Sequence, residues 1–233
     1  MGLDFTLGIK WYLAFLFSTT IHEAAHAWTA LKLGDDTAHR GGQVSLDPTP
    51  HIRRSPFGMV VVPMLSFLLG GWMIGWASAP FDRNWAIRYP KRAATMSLAG
   101  PLSNLLLLLF CGILIRIGTA AQVFAAPARA GFTSVTVSNA PGIWLFAATM
   151  LSILFSLNLL LFVFNLLPLP PLDGSGLLMF FCTSESAAKF FETLRNPGFS
   201  YFGLMISWRL IGPIFPPVQS FVLKLLYSGL HNH

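Results

Sequence analysis

The chain has 233 residues, 54% of them hydrophobic and only 10% charged, against roughly 25% charged residues in a soluble globular domain. With 21 Phe, 7 Trp and a mean hydropathy of +0.63, it has too little polar surface to coat a water-soluble fold, and the composition implies an integral membrane protein. The net charge of +6 sits in short loops such as FDRNWAIRYPKR and HIRRSP, which fits contact with anionic lipid headgroups and gives no reason to expect nucleic acid as a partner.

The first apolar run, Trp11 to Leu33, reads as a helix long enough to cross a bilayer, which takes about 20 residues. It is too rich in chemistry to be a cleaved leader. A polar stretch from Gly34 to Ser55 follows, and within it GQVSLDP has the alternation and Gly/Pro borders of a short strand. The second span is expected over Phe57–Ala79 and the third over Ala93–Ile115, where Gly100-Pro101 should kink the helix or mark its start. Between Arg116 and Ala140 the stretch FTSVTVSN also alternates like a strand.

The fourth span, Gly142–Leu167, runs into NLLPLPPLDG, and the last apolar region, Gly198–Leu230, is interrupted by Arg209 and the prolines of GPIFPPV. That region reads as one broken or two short helices. The expected fold is therefore an all-α polytopic membrane protein in one domain, residues 1–233. It is a bundle of about five to six transmembrane helices with a small membrane-associated β element between the first two spans. Basic residues are balanced across the loops, so charge alone does not orient the chain. Cys111 and Cys182 are far apart and outside any C-x-x-C pattern, which argues for neither a disulfide nor a thiolate metal site.

The first run contains His22, Glu23 and His26, in HEAAH. Two histidines four residues apart share one face of a helix and can grip one metal ion, with the glutamate beside it. Zinc is the expected ion, because catalytic sites of this donor type leave a position open for water and lower its pKa toward ~7. In a chain of this composition the five-position pattern would arise by chance about 0.002 times. An ionisable side chain at mid-bilayer costs on the order of 2.5–3.5 kcal/mol, so three together need a functional reason or very good pairing.

A catalytic zinc usually takes a third protein ligand. Asp173 is the only acidic residue between Asp82 and Glu185, and prolines 168, 170 and 171 forbid a regular helix just before it. Broken backbone at membrane depth is tolerated only where protein or a water-filled cavity surrounds it, so Asp173 is the leading candidate. The alternative is an aspartate that merely caps the helix starting at Gly174.

HEAAHAW, LAGPLSN and NLLPLPPLDG, in that order in separate spans, resemble the site-2 protease family of intramembrane zinc metalloproteases, in a minimal core form. The resemblance covers about Thr19 to Leu178. It implies one Zn2+ held by His22, His26 and Asp173, with Glu23 as the catalytic acid/base and Asn165 steadying the oxyanion. Asn104 matches the family's GP-x-x-N asparagine, and His51 also has a counterpart. It further implies that the partners are the lipid bilayer and a substrate protein with a transmembrane helix, cleaved in or near that helix. The site would open toward the cytosol from a cell (inner) membrane. GQVSLDP could offer an edge to an unwound substrate. The chain departs from the family at Gly176, where a basic residue is frequent, and in GWASAPFDRN, which lacks part of a proline-rich pattern. Two rival readings are a metal transporter using the same cluster in transit, and a family member that binds clients without cleaving them.

Overall fold

The computed structural model describes residues 4–229, and the end of the expected C-terminal region, Leu230, lies outside them. Asp4 accepts the Leu7 N–H at 3.0 Å and caps α1, Phe5–Leu33, which stops at Gly34 in the left-handed conformation (φ 101°). The short helices α2, Thr37–Arg40, and α3, Pro48–Arg54, occupy the polar connection. A wide π-type turn, Phe57–Val61, leads into α4, Val62–Gly70. Next come α5, Arg83–Arg88, and the long α6, Pro90–Ala120, which continues through Pro101. A two-residue antiparallel pair, β1 Phe124–Ala125 with β2 Val137–Ser138, precedes α7, Ile143–Asn165. The chain closes with α8, Asp173–Leu177, a 3₁₀ turn, Leu178–Phe181, α9, Ser184–Thr193, and α10, Pro197–Tyr227.

The all-helical membrane architecture holds, with four corrections. No strand forms between the first two spans among the described residues. Gly42 adopts φ 74°, the Ser45 hydroxyl accepts the Asp47 N–H, and the Ser45 carbonyl is 3.0 Å from His51 Nε2, so local bonds replace a ladder. The small sheet lies instead between α6 and α7, and Val137–Ser138 falls in the alternating stretch FTSVTVSN.

The second span is helical only to Gly70. Gly71 turns left-handed (φ 74°), and the chain doubles back in extended form, with the Trp76 N–H donating to the Gly58 carbonyl at 3.1 Å. That approach needs glycine at both 58 and 75, since a side chain at either would strike the opposing backbone.

The third correction is α10, one continuous helix despite Pro213, Pro216 and Pro217. The fourth is the number of spans. Among the described residues, three helices, α6, α7 and α10, are long and apolar enough to cross a membrane, and α3 with Phe57–Gly70, bent by 112°, makes a fourth if counted as one. With 29 residues α1 has the length, but the polar groups gathered on it dilute its apolar character.

Three apolar clusters hold the bundle. Trp11, Phe15, Phe67, Ile153 and Leu157 join α1, α4 and α7. Leu108, Cys111, Phe155, Leu159, Ile211 and Phe215 join α6, α7 and α10. Ala30, Trp85, Ala94, Met179 and Phe191 tie α1 and α6 to α5, the 3₁₀ turn and α9. The outward faces carry exposed Leu106, Phe110, Ile113, Phe202 and Met205, as expected of surfaces solvated by lipid. Where α1, α6 and α7 meet, the interior becomes polar: Ser18, His22, Glu23, His26, Asn104 and Asn158 are all buried.

Candidate metal centre

Helix α1 sets His22 and His26 one turn apart, facing α6 and the start of α8. After α7 the loop Leu166–Leu172 is turned on itself, with the Leu172 N–H donating to the Leu169 carbonyl at 2.9 Å. It delivers Asp173 as the first residue of α8, where Leu172 is the cap residue and no side chain caps. Asp173 is therefore not spent on capping. Its Oδ2 lies 3.0 Å from His22 Nε2 and its Oδ1 lies 3.3 Å from His26 Nε2, while the two Nε2 atoms are 3.1 Å apart. One ligand atom from each of the three residues falls within 4.8 Å of the others.

The donor chemistry fits a cation. His26 Nδ1 lies 2.7 Å from the Met96 carbonyl, which can only accept, so Nδ1 carries the proton, and in the neutral imidazole that a metal requires the Nε2 lone pair points inward. That lone pair faces carboxylate oxygen and a second imidazole nitrogen, and Asp173 Oδ2 is buried with no hydrogen-bond donor. Acceptors converging without a donor between them are what a divalent ion reconciles, and an outward Nδ1–H on a carbonyl is the usual support of a metal-bound histidine.

Glu23 and His26 line a cavity of about 280 Å³ together with Ser97, Asp173, Met179 and the extended stretch Ala77–Ala79. The Ser78 carbonyl in that stretch is held by Arg54 Nε at 3.0 Å and Gln43 Nε2 at 3.3 Å. Glu23 thus sits beside the donor cluster without belonging to it, where a carboxylate can take a proton from water.

Residues 10–207, most of the chain, match the model of Peptidase family M50, the site-2 protease family. The chain belongs to this family. Among its relatives is "Putative zinc metalloprotease YwhC" of Bacillus subtilis, 36% identical over 74% of this chain and 69% of that protein. "Putative zinc metalloprotease Rip2" of Mycolicibacterium smegmatis and of Mycobacterium tuberculosis is 32% identical over 70% of this chain and 53% of those proteins, so the match spans about half of their length. No solved structure gives a significant match.

The remaining site residues of this M50 chain fall as follows. Asn165 is the last residue of α7, half-buried; it is not on the cavity lining, and its amide has no hydrogen bond among the described residues. His51 is fully buried and braces the loop before α3. Asn104 touches the cluster, its Oδ1 lying 2.7 Å from His22 Nδ1. Two features escaped the sequence reading. Gly100 packs directly on both imidazoles, and Asn158, two helical turns before Asn165, bonds to Asn104. The signal for Asn158 was present: an asparagine amid LNLLLFVFN is costly in a membrane unless it has partners.

Proposed function

We propose that this chain is an intramembrane zinc metalloendopeptidase that hydrolyses a peptide bond in or near the transmembrane segment of a substrate protein. Membership of a peptidase family and relatives named as zinc metalloproteases support the class and the ion. The observation that carries the reading is the placement of Glu23 on the same cavity as His26 and Asp173. One zinc ion bound by His22, His26 and Asp173 would supply Lewis-acid polarisation of water and of the scissile carbonyl.

The chain's own residues do the rest. Glu23 takes the proton of the attacking water and returns it to the leaving amine. The family resemblance, rather than the cavity lining, supports the role of the Asn165 amide: uncommitted to other bonds among the described residues, it turns toward the developing oxyanion when substrate is bound, a contribution of roughly 2.7–4 kcal/mol for such a donor. The apolar exterior of the bundle supports a substrate that arrives through the bilayer as a helix, and its peptide bonds become accessible only after local unwinding. The family resemblance supports a cell (inner) membrane, a site opening to the cytosol and a role in regulated intramembrane proteolysis.

Purified protein in detergent tests the reading, with zinc content and cleavage of membrane-spanning peptides measured in parallel. The wild type holds about one zinc per chain, lost in His22→Ala and Asp173→Ala but kept in Glu23→Gln, and cleavage disappears in all three. Zinc retained in Asp173→Ala, or cleavage surviving in Glu23→Gln, would remove the assigned roles.

A further inference from the structure

The buried hydrogen bonds behind His22 have a direction, and that direction begins at a backbone carbonyl on a different helix. Asn158 Nδ2 lies 2.8 Å from the Leu154 carbonyl and 2.9 Å from the Ser18 hydroxyl. Asn104 Nδ2 lies 2.8 Å from Asn158 Oδ1, and Asn104 Oδ1 lies 2.7 Å from His22 Nδ1. Ser18, Asn104 and Asn158 are fully buried, so water does not compete for these bonds.

A carbonyl oxygen only accepts, so the Asn158 NH₂ must face Leu154, which leaves its oxygen facing Asn104. Asn104 must then turn its own NH₂ toward Asn158 and its oxygen toward His22. An imidazole nitrogen facing an amide oxygen must carry the proton, so His22 is held as the Nδ1–H tautomer with the Nε2 lone pair aimed at Asp173 and His26. Were Asn158 reversed, oxygen would meet oxygen at 2.8 Å, and Asn104 would be free to present NH₂ to His22 and select the wrong tautomer.

We infer that Asn158 on α7 is a positioning residue for the metal centre. Through Asn104 it transmits the polarity of the Leu154 carbonyl to His22 and fixes which ring nitrogen is free to bind metal. The two ligand histidines are then set by one rule, an outward Nδ1–H on a carbonyl-type oxygen, but by different means. His26 uses the Met96 carbonyl directly, whereas His22 uses a relay of two side chains spanning α1, α6 and α7. The inference rests on the reading of His22, His26 and Asp173 as zinc ligands.

The test is a double-mutant cycle read out as zinc affinity, by competition with a chromogenic chelator, on full-length protein in detergent. Asn158→Leu weakens zinc binding toward the roughly 10–100-fold range seen when an outer partner of a metal ligand is lost. Asn104→Asp presents an obligate acceptor to His22 whatever Asn158 does, so in that background Asn158→Leu, which there also removes an oxygen facing the carboxylate, causes no loss of affinity. Asn158→Ala replaces the leucine variant if the bulk disturbs folding, and thermal unfolding of the metal-free proteins reads packing separately. Equal losses of affinity in both backgrounds would reduce Asn158 to a packing residue, and no loss in the wild-type background would overturn the relay. A wild type that binds no zinc would instead strike the reading of the site itself.

Discussion

Gly100→Ala is the sharpest test of the site geometry, because it adds one methyl group and changes no ligand. Gly100 lies on α6 against both imidazoles. A methyl carbon there would sit 2.6 Å from Cε1 and Nε2 of His22 and closer still to His26 Nε2. Carbon contacts are comfortable from about 3.5 Å, so the rings would have to recede by about 1 Å. Neither is free to do so, since each is pinned on its far side by a 2.7 Å bond, His22 to Asn104 and His26 to the Met96 carbonyl. Metal–ligand distances tolerate only about ±0.2 Å, so a shift of that size ends coordination.

The expected result is a fall in zinc affinity beyond the ~100-fold typical of losing an outer partner. The metal-free fold should lose only the roughly 1–3 kcal/mol of an overpacked core. Metal content after dialysis against a chelator gives the first quantity, and thermal unfolding of metal-free protein the second. Zinc binding unchanged in a folded Gly100→Ala protein would refute the claim that both rings are locked against α6.

Asn165→Ala should lower kcat for peptide cleavage by roughly 10²–10³-fold while leaving KM and zinc content near the wild-type values; an unchanged kcat would take Asn165 out of the mechanism. Stripping zinc from the wild type should lower its thermal midpoint, because a ligand bound only by the folded state stabilises it, and re-adding zinc should restore it. The same treatment of His22→Ala should shift nothing, and calorimetry compares the two. Gly34→Ala forces a side chain into the left-handed conformation (φ 101°) at the end of α1, costing about 1–2 kcal/mol in denaturant titration with zinc stoichiometry of the folded protein intact.

What could be read from the sequence was whatever a local pattern encodes. His22 and His26 share a helix face by spacing alone, and Asp173 stood out as an isolated charge beside helix-breaking prolines. The Asn104–Asn158 bond could not be read, because it joins residues 54 positions apart on different helices and depends on how α6 and α7 are rotated. The alternation of GQVSLDP was real, but the Ser45 hydroxyl and Asp47 carboxylate within it, and the His51 imidazole just beyond it, satisfy the local backbone more readily than a partner strand could. The truncated second span had a signal in its Gly70-Gly71 pair, a helix stop outweighed by the hydropathy of the residues beyond it. The prolines of α10 pointed the other way, since the helix runs on through all three.

The early stop of α4 also bears on the bilayer itself. The turn Phe57–Val61 and α4 together have five and nine residues, roughly 21 Å of helix, against a hydrocarbon layer about 30 Å thick. A bilayer meeting so short an apolar wall thins locally or exposes its acyl chains, each at a cost of fractions of a kcal/mol per ångström. The returning stretch Ala77–Ala79 lines the cavity that holds Glu23 and Asp173, so such thinning would fall next to it. On the proposed function, a substrate helix of ordinary length drifting into that zone would carry more hydrophobic length than the lipid there can cover. It must tilt or fray at one end, and a frayed end is the form in which a helix exposes its peptide bonds.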